Sequence, residues 1–371
     1  MFSIFIVTLI GAVAASQSIS KHDNSSLVVT QVPDYVRPYA VRAYTLDGVR
    51  IGSQVYRFPV TGPSSDYAFT LISTAAPASS ELGVLPHIHQ AHYENFYNLR
   101  GRFALWASKD NSTAGRLFTP GDYGAVPHNT THTFQILDPF TEMVGVIQPG
   151  GFEDLFYFLA SANYSSSTSA PFPQGNFTSP GGDAAVISAL QSYDVWAQLE
   201  FSPPMDFDAN GMSGNKDAPW RNGTNELAAN SETPFFVAKG YGPKILASSA
   251  DNASYFVIEP FITATQSDGN FTEGTITMSK LPTGAEPLTW FLPGHTALEV
   301  VDGLIGVEVQ GFYEKLSLSV GDVVFVPANT TWSFWGESAY SKVLYVGQGK
   351  DTLDARLRAI GEEWQSVLWP A

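Results

Sequence analysis

The chain has 371 residues, 44% of them hydrophobic, which suffices for two domains with cores of their own. A net charge of −16 disfavours nucleic acid and anionic membrane surfaces as partners. The absence of cysteine excludes disulfides, thiolate metal ligands, iron–sulfur clusters and cysteine nucleophiles. Charged residues at 15%, aromatics at 13%, 32 glycines and 24 prolines give a β-rich, turn-rich balance.

The chain opens on an apolar run, from Met1 to small residues around Ala14, that is too short to span a bilayer comfortably. Although the usual basic start is missing, residues 1–20 read as a signal peptide cleaved between Ala14 and Ser20. No later segment is apolar for long enough to be transmembrane. Nine Asn-X-Ser/Thr sequons support secretion, an excess over chance. Asn111, Asn129, Asn163, Asn176, Asn252 and Asn270 are the candidate glycosylation sites; the others are Asn24, Asn222 and Asn329. At Asn129 and Asn329 a turn role competes with glycosylation.

Residues 28–150 read as short strands separated by Gly/Pro/Asn/Asp clusters, the pattern of a sandwich or small barrel. Residues 163–182 read as a loop, and 183–200 as a helix with Val186, Ile187, Leu190, Tyr193 and Ala197 near one face. A polar loop follows to residue 234, and strands resume at Phe235. A last helix is expected over 353–368, capped by Asp351 or Thr352, with Leu353, Leu357, Ile360, Trp364 and Leu368 as its stripe. The predicted division is a first β domain over 21–166, a linker with one helix over 167–228, and a second β domain over 229–371.

The two β halves repeat each other. Pro127-His-Asn-Thr-Thr-His-Thr-Phe134 matches Pro327-Ala-Asn-Thr-Thr-Trp-Ser-Phe334, and the Gly121-Asp and Gly321-Asp turns precede them at equal distance. Such a match argues for duplication of one barrel unit.

Five of the seven histidines fall in two stretches, 87–94 and 127–132. Alternate residues of a strand share a face, so His87 and His89 can both point into a barrel. Glu94 breaks that parity, so a bend or bulge must intervene, and His132 arrives from a later strand. Three imidazoles and a carboxylate make an open metal site, suited to catalysis, for which Cu, Ni, Fe, Mn and Co all fit the donor set. Nothing beyond proximity marks His92 or His128 as ligands. By parity Phe96, Phe134 and Ile136 face inward with the ligands, and an apolar, aromatic pocket suits a flat aromatic substrate better than a small dianion.

Gly83-x3-His87-x-His89-x4-Glu94-x6-Gly101, followed by Gly121-x5-Pro127-x4-His132, resembles the two motifs of the cupin superfamily. The first glycine sits closer to His87 than is usual, and Asn129 stands where the second motif has glycine. The resemblance implies an all-β chain of two jelly-roll barrels. Counting from the repeat places Thr289, Phe291, Thr296 and Trp332 at the ligand positions of the second half, so one metal is expected, in the first barrel.

With one live barrel, a long linker, a second barrel and a C-terminal helix, the chain resembles the fungal quercetinases, the flavonol 2,4-dioxygenases. The resemblance implies one copper(II) held by His87, His89, His132 and in part Glu94, with Tyr56 and Met143 in the substrate pocket. It also implies a homodimer as a common assembly. In the implied reaction Glu94, its pKa raised by an apolar pocket, takes the proton of the flavonol 3-hydroxyl. Dioxygen then adds across C2 and C4, and the ring opens to carbon monoxide and a phenolic ester (a depside). Two alternatives compete, the first sharing the three-histidine, one-glutamate motif and the second a class that has typically lost it. One is a manganese oxalate oxidase or decarboxylase. The other is a non-enzymatic storage or sugar-binding bicupin.

Overall fold

A computed structural model describes residues 26–165, 171–175, 184–249 and 254–370. The predicted leader and the sequons at Asn24, Asn176 and Asn252 lie outside the described residues. Asn111, Asn129, Asn163 and Asn270 are exposed. The described residues form four sheets, of nine, eight, six and four strands, arranged as two jelly-roll barrels. No helix among them is long and apolar enough to cross a membrane.

The first barrel pairs the eight-stranded sheet, with Thr70–Ala76, Thr141–Gln148, Tyr93–Arg100 and Tyr123–Val126 side by side, against the six-stranded sheet. The latter carries His87–Ile88, Thr131–Ile136 and Phe103–Lys109 in succession. The second barrel repeats this with the nine- and four-stranded sheets. Where a strand has one wet face its burial alternates, as in Leu316–Ser319. Tyr123–Val126 and Val323–Val326 are buried at every residue because the large sheets of the two barrels pack against each other. Tyr123 stacks on Phe261 at 4.3 Å and Tyr39 on Phe325 at 5.3 Å in this shared layer.

Strand pairing crosses the predicted domain limits in both directions. Tyr39–Val41, which precedes the first barrel, pairs with Val323–Val326 of the second. Phe235–Val237, which precedes the second, pairs with Tyr123–Val126 of the first. The aspartates of the repeated Gly-Asp turns hold these exchanged strands. Asp322 Oδ1 accepts the Ala43 N–H at 2.9 Å, and Asp122 Oδ1 accepts the Lys239 N–H at 2.8 Å.

Three helices punctuate the described strands. Helix α1, Glu153–Leu159, was not expected from the sequence. Its buried Glu153 carboxylate accepts the Gly62 N–H and the Thr70 hydroxyl, both at 2.7 Å. Helix α2, Ala184–Leu190, is shorter than the predicted 183–200. A 3₁₀ turn at Gln191–Tyr193 ends on Asp194 in the left-handed region (φ 59°), and Trp196–Ala197 is already extended. Helix α3, Leu353–Ile360, has Thr352 at its N-cap but stops eight residues before the predicted end. A side chain at Gly361 would collide with Ile245 and Leu246, because Glu362–Glu363 turns back to pair with Ile245–Ser248. Leu353 and Leu357 are therefore buried, and Ile360 is exposed.

Candidate metal centre

His87 and His132 face each other directly across an antiparallel pair, which brings their rings to 4.2 Å. His89 follows two residues on, the parity a strand allows, with its ring 4.8 Å from that of His87. The chain then loops through Gln90–His92 before Tyr93–Arg100 begins, and that loop is the predicted parity break that lets Glu94 face inward. One ligand atom from each of His87, His89, Glu94 and His132 lies within 4.8 Å of the others. Glu94 Oε2 stands 2.8 Å from His132 Nε2, 3.0 Å from His89 Nε2 and 4.0 Å from His87 Nε2.

The outer nitrogen of each ring is tied to a backbone carbonyl. Nδ1 of His87 donates to Leu85 at 2.7 Å, of His89 to Asp194 at 2.7 Å, and of His132 to Thr130 at 3.0 Å. Each bond places a proton on Nδ1 and turns Nε2 inward, the arrangement that supports metal-ligating histidines. At His89 and His132 Nε2 lies within hydrogen-bond reach of Glu94, and a bound metal would take the place of the proton shared there. Burial, then the neighbouring imidazoles of His132 and His89, hold the His87 pKa well below its ordinary value, which keeps that ring neutral. At His89 burial acts downward, but the hydrogen bond and charge of Glu94 outweigh it and the pKa is raised. Three imidazole nitrogens and a carboxylate converging on one point fit a single divalent transition metal with a position left open.

The expected raised pKa of Glu94 is corrected by this geometry. Burial does push it up, but hydrogen bonds from His132 and His89 and their charge pull it down further. The carboxyl lies well below its ordinary value and is ionised at neutral pH.

A cavity of about 710 Å³ opens onto His87, Glu94 and His132. Phe96, Phe134, Tyr56 and Met143 all line it, and each is buried. Ile136 lies beneath them in the barrel core. Tyr56 donates its hydroxyl to Gln54 Oε1 at 2.8 Å, and Gln54 donates to the Gly83 carbonyl at 2.6 Å. Gly83 is required here because a side chain would strike the Phe134 ring. His92 and His128 stay outside the cluster. His92 bonds Asp194, and His128 packs edge-on to Tyr93 at 5.9 Å.

Sequence reasoning missed the outer wall. Phe152, Leu155 and Phe156 of the α1 region line the cavity, with Val186, Ile187 and Leu190 of α2 beside them. The stripe predicted on α2 was the available signal, since it needs something apolar to cover.

In the second barrel the register shifts by one from the counted alignment. Trp290 pairs with Trp332 where His87 pairs with His132. Leu292 O accepts the Asn329 N–H at 2.7 Å, as His89 O accepts that of Asn129 at 2.6 Å. The positions equivalent to His87 and His89 are thus Trp290 and Leu292, not Thr289 and Phe291. The connection to Thr296 is one residue shorter than that to Glu94. Thr296 and Trp332 stand where counted, opposite Glu94 and His132, so no ligand survives. Among the described residues the first-barrel cluster is the only one of its kind.

No protein-family profile matches the chain. Over 355 residues, 94% of this chain and 99% of the relative, it is 48% identical to a quercetin 2,3-dioxygenase of Aspergillus japonicus. It is 31% identical over 128 residues to a quercetin 2,3-dioxygenase of Bacillus subtilis, covering 34% of this chain and 36% of that one. An oxalate decarboxylase structure from Bacillus subtilis covers 87% of this chain and 78% of its own at 14% identity, with a TM-score of 0.49. That likeness is too loose to bear on the reaction. With a curated relative matched across nearly its whole length, and a three-histidine, one-glutamate centre in its first barrel, the chain belongs to the quercetin 2,3-dioxygenase family of bicupins.

Proposed function

We propose that this protein opens the heterocyclic ring of flavonols such as quercetin with dioxygen, using one copper(II) held by His87, His89, His132 and Glu94 and releasing carbon monoxide and a depside. The observation that carries the reading is a metal-ligand cluster at the floor of a large apolar, aromatic cavity. The fused rings of a flavonol match walls built of Phe96, Phe134, Phe152 and Phe156. A small dianion such as oxalate would gain little there, which disfavours the oxalate reading.

Copper, when bound, supplies Lewis acidity toward the substrate oxygen and a path for electrons. The protein's own residues do the rest. Glu94, ionised, accepts the proton of the 3-hydroxyl at its carboxylate. The aromatic walls orient the flat ring system, and α1 and α2 exclude water from it. The Tyr56 hydroxyl is engaged with Gln54, and burial, then the charge of Glu94, raises its pKa, so it stays neutral.

Secretion, glycosylation and a homodimeric state belong to the same proposal. The apolar start of the chain and its nine sequons support the first two, and family resemblance supports the third.

The test is anaerobic mixing of the copper-loaded protein with quercetin, then admission of air. Stoichiometric carbon monoxide with the depside is the expected result. No carbon monoxide, or carbon dioxide from oxalate instead, overturns the reading.

A further inference from the structure

In the sequence Asp194 falls in the segment between the two barrels, outside both motifs. Its carboxylate collects the loop that joins His89 to Glu94. Oδ1 accepts the Gln90 N–H at 2.9 Å, and Oδ2 accepts the N–H groups of Ala91 at 2.8 Å and His92 at 3.1 Å. Oδ2 also accepts from His92 Nδ1 at 2.8 Å. Three successive amides turned toward one carboxylate form a nest that is unsatisfied without it. The backbone carbonyl of the same residue receives the Nδ1–H of His89 at 2.7 Å.

The other two ligand histidines donate Nδ1–H to carbonyls only two residues earlier in the chain, just ahead of their own strands. His89 alone depends on a residue 105 positions away. The chain on either side of Asp194 is tied to the site as well. Before it, Val186, Ile187 and Leu190 of α2 wall the cavity. After it, Trp196–Ala197 pairs with His87–Ile88, and the Gln198 N–H donates to Pro86 at 2.7 Å.

We propose that Asp194 is a positioning residue of the metal centre. It sets the His89–Glu94 loop and the orientation of His89, and so makes ligand geometry depend on where α2 sits over the cavity. The proposal rests on the four-ligand centre and not on the identity of the substrate.

The test uses the full chain, Asp194→Asn and Asp194→Ala, with copper(II) alone as the probe. Asparagine keeps the left-handed backbone and one acceptor oxygen; alanine loses both acceptors and strains the turn. Copper affinity by chelator competition, the copper EPR spectrum, and thermal unfolding of the metal-free protein are measured together. Asp194→Ala is expected to lose roughly ten- to a hundredfold in copper affinity. Asp194→Asn should lose less, and both should shift the EPR parameters. Wild-type affinity and spectrum in the two variants, whatever their unfolding temperatures, overturn the proposal.

Should Asp194→Ala fail to fold, His92→Phe removes one of the four bonds while keeping a ring against Phe152. A smaller affinity loss in the same direction supports the proposal, and unchanged affinity in both His92→Phe and Asp194→Asn sinks it. No flavonol enters these measurements, so failure of the flavonol reading and failure of this one are separable.

Discussion

The two barrels share a frame down to single hydrogen bonds and differ in what fills it. Asn129 and Asn329 both turn through the left-handed region, at φ 60° and 59°, and each amide reaches back to the facing strand. Asp122 and Asp322 hold exchanged strands in the same way. Yet Trp290, Leu292 and Trp332 pack into the second core where histidines converge in the first. A jelly roll therefore does not need its ligands to fold. The metal centre requires an extra loop residue and a clamp, Asp194, from outside the barrel.

Buried carboxylates show the same contrast. Glu94 is kept ionised by imidazole partners. Glu273 and Glu299, in strands of the second barrel, each leave one oxygen without a protein partner, and burial raises both to about 8. Glu142 adds to the shift at Glu299.

The sharpest break in the comparison is His132→Ala, which should remove stoichiometric metal from the purified protein, while Trp332→Ala should leave the metal content unchanged. Metal analysis of both reads the outcome. Glu94→Gln comes next. Loss of a positioned base is worth roughly 10²- to 10⁴-fold in turnover, so carbon monoxide release should fall by that order. Full turnover in this variant would remove Glu94 from the role of base.

A smaller effect concerns pH. Glu273 and Glu299 have folded pKa values of about 8 against an ordinary 4.5, so the folded state holds more protons between those limits. Stability is then fully present below about pH 4.5 and is lost as pH rises toward 8. The slope is at most roughly 1.4 kcal/mol per pH unit for each group. Denaturant unfolding across this range should show the decline, and Glu273→Gln with Glu299→Gln should flatten it. A wild-type curve flat between those limits contradicts the assignment. The smallest expected change is at the shared turns. Asn129→Ala and Asn329→Ala should each cost about 1 kcal/mol through left-handed strain, with the glycine variants nearly neutral and the two barrels alike.

Much of the centre was legible because it is local. H-x-H on one strand, Glu94 beyond a bend and His132 after a Gly-Asp turn are spacing statements, and strand parity converts spacing into direction. Phe96 and Phe134 follow from the same parity. Parity says nothing about partners from far along the chain, so Asp194 was invisible, as was the strand exchange at Tyr39–Val41 and Phe235–Val237. Counting along the repeat gave Thr289 and Phe291 in place of Trp290 and Leu292 because a one-residue deletion in a loop leaves no mark on a hydrophobic pattern. The helix ends were misread for a related reason. The apolar stripe continues past residues 190 and 360, but hydrogen bonding at Asp194 and close packing at Gly361 end each helix first.

By itself the sequence determined two duplicated β units, one live set of ligands and an aromatic setting for them, since these rest on residue type and period. Tertiary structure decided which way Nε2 of His89 points, that Glu94 is held ionised, and that α1 and α2 wall the cavity. Those properties depend on groups brought together from distant positions, and desolvation and hydrogen bonding act only once the chain has packed.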